Sequence, residues 1–136
     1  MFEVLEHAAD IGFRARAGSL AELFEAAAEA LAAIVLDPEN VNPIDSVALS
    51  AEGNSNESLL VNWLSEVLYW LDGERFAMSK FEVKELTDTR IAGEARGEPR
   101  NPARHEPRLV VKGITYHQLK IERNADGWRC EVYLDV

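Results

Sequence analysis

The chain has 136 residues, 47% of them hydrophobic and 28% charged, which suits one compact domain with a buried core and excludes a disordered chain. No apolar run approaches the roughly 18–20 residues that span a bilayer, and no basic-then-apolar leader opens the chain, so a soluble, cytoplasmic protein is expected. The net charge of −10 sits in residues 1–68, whose 12 acidic residues face only Arg14 and Arg16; that disfavours direct RNA binding and favours a cation or a basic patch on another protein.

Residues 2–6 and 11–17 read as two short strands around a polar corner at His7–Asp10, the second by the period-two alternation of Ile11, Phe13 and Ala15. Ser19-Leu20-Ala21-Glu22 is a capping-box start for a helix running to about Val35. Its apolar face is Leu20, Leu23, Phe24, Ala27, Leu31, Ile34 and Val35, and Asp37-Pro38 ends it. Val47, Leu49 and Ala51 alternate as a third strand. Asn54 or Ser55 caps a second helix over about residues 56–71, which Asp72-Gly73 stops. Residues 79–86 and 89–97 predict a hairpin, and 108–115 and 117–123 two further strands. Asn124-Ala125-Asp126-Gly127 is a hairpin turn into a last strand over 128–136. The single cysteine, Cys130, lies in that strand on the same parity as Trp128 and Val132. It excludes an internal disulfide or a cysteine-based zinc cluster and reads as an inert core thiol. The expected fold class is α+β, one domain over residues 1–136 with two helices packed on a mostly antiparallel sheet.

Three places carry candidate chemistry. The corner Glu6-His7-Ala8-Ala9-Asp10-Ile11-Gly12 puts an imidazole and a carboxylate three residues apart at a strand boundary. It could hold a metal or a partner, or be a polar turn in which Asp10 bonds local backbone. At Leu134-Asp135-Val136 an outward carboxylate is followed directly by the terminal one, a pair that hard cations such as Ca²⁺ or Mg²⁺ gather. In Val111-Lys112-Gly113-Ile114-Thr115-Tyr116-His117, Lys112 either snorkels to water or meets a phosphate or carboxylate. His105 and His117 lack metal-ligand spacing and read as structural. The bases at 96, 100, 104, 108 and 112 recur every four residues; prolines forbid a helix there, leaving a basic loop that could be a docking edge. No phosphate-cradling glycine loop, dinucleotide fingerprint or nucleophile elbow is present.

His7-Ala8-Ala9-Asp10-Ile11-Gly12 resembles the archease signature, usually His-Thr-Ala-Asp-Ile-Gly. Leu59–Leu68, Arg104-His105-Glu106, Val111–His117 and the Asp135-Val136 ending match in order and spacing over the whole length. The resemblance implies a non-enzymatic cofactor protein that activates the RtcB-type RNA ligase of tRNA splicing and RNA repair, promoting guanylylation of the ligase histidine and repeated turnover. It implies a divalent metal, Ca²⁺ foremost with Mg²⁺ or Mn²⁺ as alternatives, on Asp10, Asp135 and Val136. Lys112 is implied as a position needed for activation, with His7 as second-shell support for the metal; no residue is expected to be catalytic. RNA would be met only through the ligase, and no membrane is involved. Ala8 departs from the usual threonine, and Asn101 stands where an acid is common. The competing readings are a small metal-dependent phosphoester hydrolase using the same aspartates and a metal-free, chaperone-like interaction module.

Overall fold

The computed structural model describes residues 1–7 and 10–136 in backbone, and the side chains of residues 1–5 and 11–136. Among the described residues eight strands and two α-helices follow one another as β1 (Phe2–His7), β2 (Asp10–Ala17), α1 (Leu20–Val35), β3 (Asp45–Glu52), α2 (Asn56–Leu68), β4 (Phe76–Leu86), β5 (Arg90–Pro99), β6 (Gly113–Ile114), β7 (Lys120–Asn124) and β8 (Gly127–Asp135). They form two antiparallel sheets rather than the one expected. The first has the order β1-β2-β8-β6, with β7 also paired to β8; the second has the order β3-β5-β4.

Both helices start where their caps dictate. Ser19 Oγ accepts from Glu22 N (3.2 Å) and donates to Glu22 Oε1 (2.9 Å). Ser55 and Ser58 form a reciprocal capping box in front of α2. Alanines at 26, 27, 28, 30 and 32 are buried along with Leu23 and Leu31, while Leu20 is half-buried, so α1 is wrapped by protein on most sides and touches both sheets. The indole of Trp63 locks the two helices together: the side chain is fully buried and Nε1 donates to Phe24 O at 3.0 Å.

Three expectations change. The predicted second helix closes in a π-turn, Tyr69–Gly73, whose Leu71 carbonyl accepts from the buried Arg100 Nη1 at 3.0 Å. The strand predicted over 108–115 shrinks to Gly113–Ile114. Upstream, Arg108 N donates to Val35 O (2.8 Å) and its guanidinium pairs with Asp37 (3.1 Å), which ties this segment to the end of α1 instead of to a sheet. The strand predicted over 117–123 begins only at Lys120, after a turn in which Gln118 takes φ 52°.

The second sheet is tightly bound. β4 shifts register between Met78 and Lys80 and again between Val83 and Glu85, and at those bulges its backbone presses onto glycines of β5. A Cβ on Gly97 would lie 1.7 Å from Ala77 O, and one on Gly93 2.2 Å from Glu82 O. Gly97→Ala is therefore expected to cost about 3 kcal/mol, the upper end of overpacking penalties, seen as a lower urea midpoint with an unchanged slope. Helix side chains reach the outer backbone of the sheet. Glu25 Oε2 accepts from Val83 N at 2.7 Å, Asn62 Nδ2 donates to Glu52 O at 2.7 Å, and Glu66 Oε2 accepts from Ser50 N at 3.5 Å.

Candidate metal and partner site

The first sheet has one face against the core, carrying Phe13, Ala15, Cys130, Val132 and Leu134, all buried. Alternation therefore sends Gly12, Arg14 and Arg16 of β2, and Arg129, Glu131, Tyr133 and Asp135 of β8, to the other face. The β2–β8 register pairs Ile11 with Leu134 and Gly12 with Tyr133; carried one residue further, it sets Asp10 opposite Asp135. Directly opposed positions hold their Cβ atoms about 5 Å apart. This register follows from β2 flanking the last strand, with β1 paired on the far side of β2. The side chains of Asp10 and of the second-shell candidate His7 lie outside the described residues.

Gly12 is needed for the approach of the strands at this point. A Cβ there would come within 2.5 Å of Val132 O and 2.8 Å of Tyr133 Cδ1, so the Tyr133 ring lies on the glycine. The phenol donates to Glu131 Oε1 at 2.8 Å, and the His117 ring stands edge-on to Tyr133 with centroids 6.5 Å apart. Thr115 closes the same corner, its N and Oγ1 both donating to Tyr133 O at 3.1 and 3.0 Å. Gly12→Ala should displace the ring and cost about 2 kcal/mol, within the range for overpacking. Loss of Tyr133 near-ultraviolet dichroism in a still-folded chain would report it.

Asp135 is exposed, and its carbonyl accepts from Lys112 N at 2.7 Å. Val136 is 40% exposed rather than turned into the core. Lys112 thus sits beside the acidic end of the face, exposed and without an ion pair among the described residues. The other members of the four-residue basic series are engaged locally. Arg96 pairs with Glu94 (3.8 Å), Arg100 with Asp72 (3.5 Å), Arg104 with Glu98, and Arg108 with Asp37 (3.1 Å). The loop's arginines fasten it to the fold, leaving Lys112 as the cation of that series without such a tie.

His105 is structural, as expected, and its partner Glu98 was not foreseen. Both are buried. Asn101 N donates to His105 Nδ1 at 2.8 Å, which leaves the ring proton on Nε2 to reach Glu98 Oε2 at 3.0 Å. Asn42 N donates to the same oxygen at 2.7 Å, and Arg104 takes the other one. The backbone donor of Asn42 first, then Arg104 and His105, hold the Glu98 carboxyl at about 2 against its ordinary 4.5. A carboxyl lowered on folding stabilises above its unfolded value and loses that contribution as pH falls. Wild type should accordingly lose stability between pH 4.5 and 2 through this group, and Glu98→Gln should flatten that part of a Tm–pH curve. Cys130 is buried, with its thiol pushed up to about 12 by that burial, in keeping with an inert core thiol.

Among the described residues no three His, Cys, Asp or Glu side chains are grouped to hold a metal. The candidate donors are instead the register-opposed pair Asp10 and Asp135, with oxygen at Val136. Carboxylate oxygens at an exposed sheet end suit a hard cation such as Ca²⁺, Mg²⁺ or Mn²⁺ and suit zinc or copper poorly. No helix of the described residues is long and apolar enough to cross a membrane.

A family model described as the archease protein family matches residues 2–136. The protein archease of Pyrococcus furiosus is 40% identical, over 99% of this chain and 98% of its own length. That of Methanosarcina acetivorans is 37% identical, over 99% and 95% respectively. The solution structure of Methanobacterium thermoautotrophicum protein 1598 superposes with a TM-score of 0.86 at 33% identity, covering 99% of this chain and 98% of that one.

Proposed function

The chain belongs to the archease family, and we propose from there that it is a non-catalytic activator of an RtcB-type RNA ligase in the cytoplasm. In this role it promotes guanylylation of the ligase and its repeated turnover in tRNA splicing and RNA repair. One observation supports the reading: the β2–β8 register, which pairs Ile11 with Leu134, ends at the neighbours of Asp10 and Asp135. Two carboxylates so placed repel each other unless a cation lies between them. Asp10, Asp135 and oxygen at Val136 would hold that cation, which when bound neutralises the pair and presents positive charge to an anionic partner group. Lys112, exposed beside Asp135, supplies a second, mobile cation for the partner's active site. RNA is met only through the ligase, since the net charge of −10 repels phosphate.

The test is ligase guanylylation and sealing followed over multiple turnovers, with and without the chain. Acceleration that needs the ligase, with no phosphoester hydrolysis by the chain alone, is the expected result. Hydrolysis by the chain alone would replace this reading with that of a metal-dependent hydrolase. An effect on ligase solubility without any change in guanylylation would favour a chaperone-like module.

A further inference from the structure

The exposed face of the first sheet carries a cross-strand lattice of charge that continues away from the two aspartates. Two residues beyond Gly12, the register sets Glu3, Arg14, Glu131 and Lys120 side by side on four neighbouring strands. Their signs alternate, and Arg14 lies 3.3 Å from Glu3 and 3.7 Å from Glu131. Two residues further the alternation fails, and Arg16 lies directly opposite Arg129. Like charges in that position destabilise a sheet. Glu122, across from Arg129 on the other side, engages only Nε and Nη2 of that arginine, at 3.3 and 2.9 Å. Arg16 is exposed and has no side-chain partner among the described residues. In a chain with 24 acidic and 14 basic residues, a carboxylate for Arg16 would be easy to supply, yet none is in place.

We propose that Arg16 and Arg129 are an anchoring site for a carboxylate on a partner protein, which under the function proposed above is the ligase. Their guanidinium groups lie on the same face as Asp135, which is six residues from Arg129 along β8, or about 20 Å at the rise of a strand. The face is thus bipolar, with an acidic end for a metal and a basic end for an acid. A partner touching both ends is fixed in orientation as well as position. Arginine's planar fork suits a carboxylate in bidentate geometry. A protein fits this surface better than a nucleic acid does. The basin around the pair holds Glu3, Glu122, Asp126 and Glu131 interspersed with Arg14 and Lys120, so a phosphodiester backbone running through it would meet carboxylates as well as bases, whereas a single acidic side chain can seat on Arg16 and Arg129 alone.

Arg16→Glu tests this cleanly, because glutamate opposite Arg129 removes the like-charge pair and should leave Tm equal to wild type or higher. The half-saturating concentration for ligase acceleration should nonetheless rise roughly tenfold near 0.1 M salt, with a weaker salt dependence than wild type. Maximal acceleration and divalent-ion binding should stay unchanged, since Asp10, Asp135 and Lys112 are intact. Arg129→Gln should shift the same concentration in the same direction. An unchanged half-saturating concentration overturns the proposal while wild-type acceleration still upholds the activator reading. A fall in maximal acceleration overturns it too, since the pair would then belong to activation rather than anchoring. Binding of single-stranded RNA by the chain alone, abolished in Arg16→Glu, would reassign the site to nucleic acid. A wild type that neither binds nor accelerates the ligase removes the activator reading and this proposal with it.

Discussion

Alanine at both Asp10 and Asp135 should leave a folded chain that no longer accelerates ligase guanylylation, with the rate falling to that of the ligase alone. Asp135 is exposed at the end of β8, and under the proposed site the substitution removes two like charges, so stability without metal should not fall. With metal the two proteins should part. A cation at one hundred times its Kd raises the stability of a protein that binds it at one site by about 2.7 kcal/mol. Wild type should therefore show a rise in Tm with added Ca²⁺, Mg²⁺ or Mn²⁺, and the double variant none. Equal Tm shifts in both would place the cation elsewhere, and intact acceleration by the double variant would remove these aspartates from the function. Lys112→Ala separates the two roles, since it should keep the metal-induced shift and lose acceleration.

The second large effect concerns stability. Trp63→Ala empties a fully buried site between the helices and deletes the bond from Nε1 to Phe24 O, so it should cost about 4 kcal/mol. Against a typical total of roughly 5–15 kcal/mol, that leaves a chain partly unfolded at 37 °C. Trp63→Phe retains much of the packing and loses the bond, and should cost about half as much. Urea unfolding at constant slope measures both. A cost under 1 kcal/mol for the alanine variant would show that α1 and α2 close over the gap.

The helices could be read from the sequence because caps and periodicity are local. Ser19 caps α1 as predicted, and of the two candidates Asn54 and Ser55 it is Ser55 that caps α2. Strand alternation gives each strand two faces and says nothing about which strand lies next to it. The division into two sheets and the placement of β2 beside β8 therefore appear only in three dimensions. The failure of 108–115 as a strand has the same origin. Leu109, Val110 and Val111 have strand propensity, but the contacts of Arg108 with Val35 and Asp37 decide the path of the segment. At the candidate site, Asp10, Asp135 and Lys112 lie in separate short motifs of a family pattern, and only the β2–β8 register, which ends at Ile11 and Leu134, shows that two of those motifs are neighbours. Glu98 was missed because the predicted strand ended at residue 97 and left it at the start of a proline-containing loop, where a glutamate reads as solvated, whereas β5 runs on to Pro99. Its donors come from residues 42, 104 and 105, and no spacing along the chain connects them.

The helix side chains that reach the second sheet bear on how this protein behaves when crowded. β3 and β4 are the outermost strands of that sheet, and an outermost strand offers its free backbone groups as a template on which another chain can add, the first step toward aggregation. Here Asn62 and Glu66 occupy such groups on β3, and Glu25 occupies one on β4. Two of the three are glutamates, so a second copy approaching either margin meets negative charge as well as a backbone already engaged. Concentrated solutions of the Glu25→Ala variant should accordingly bind thioflavin T sooner than wild type, even where the two proteins melt at the same temperature.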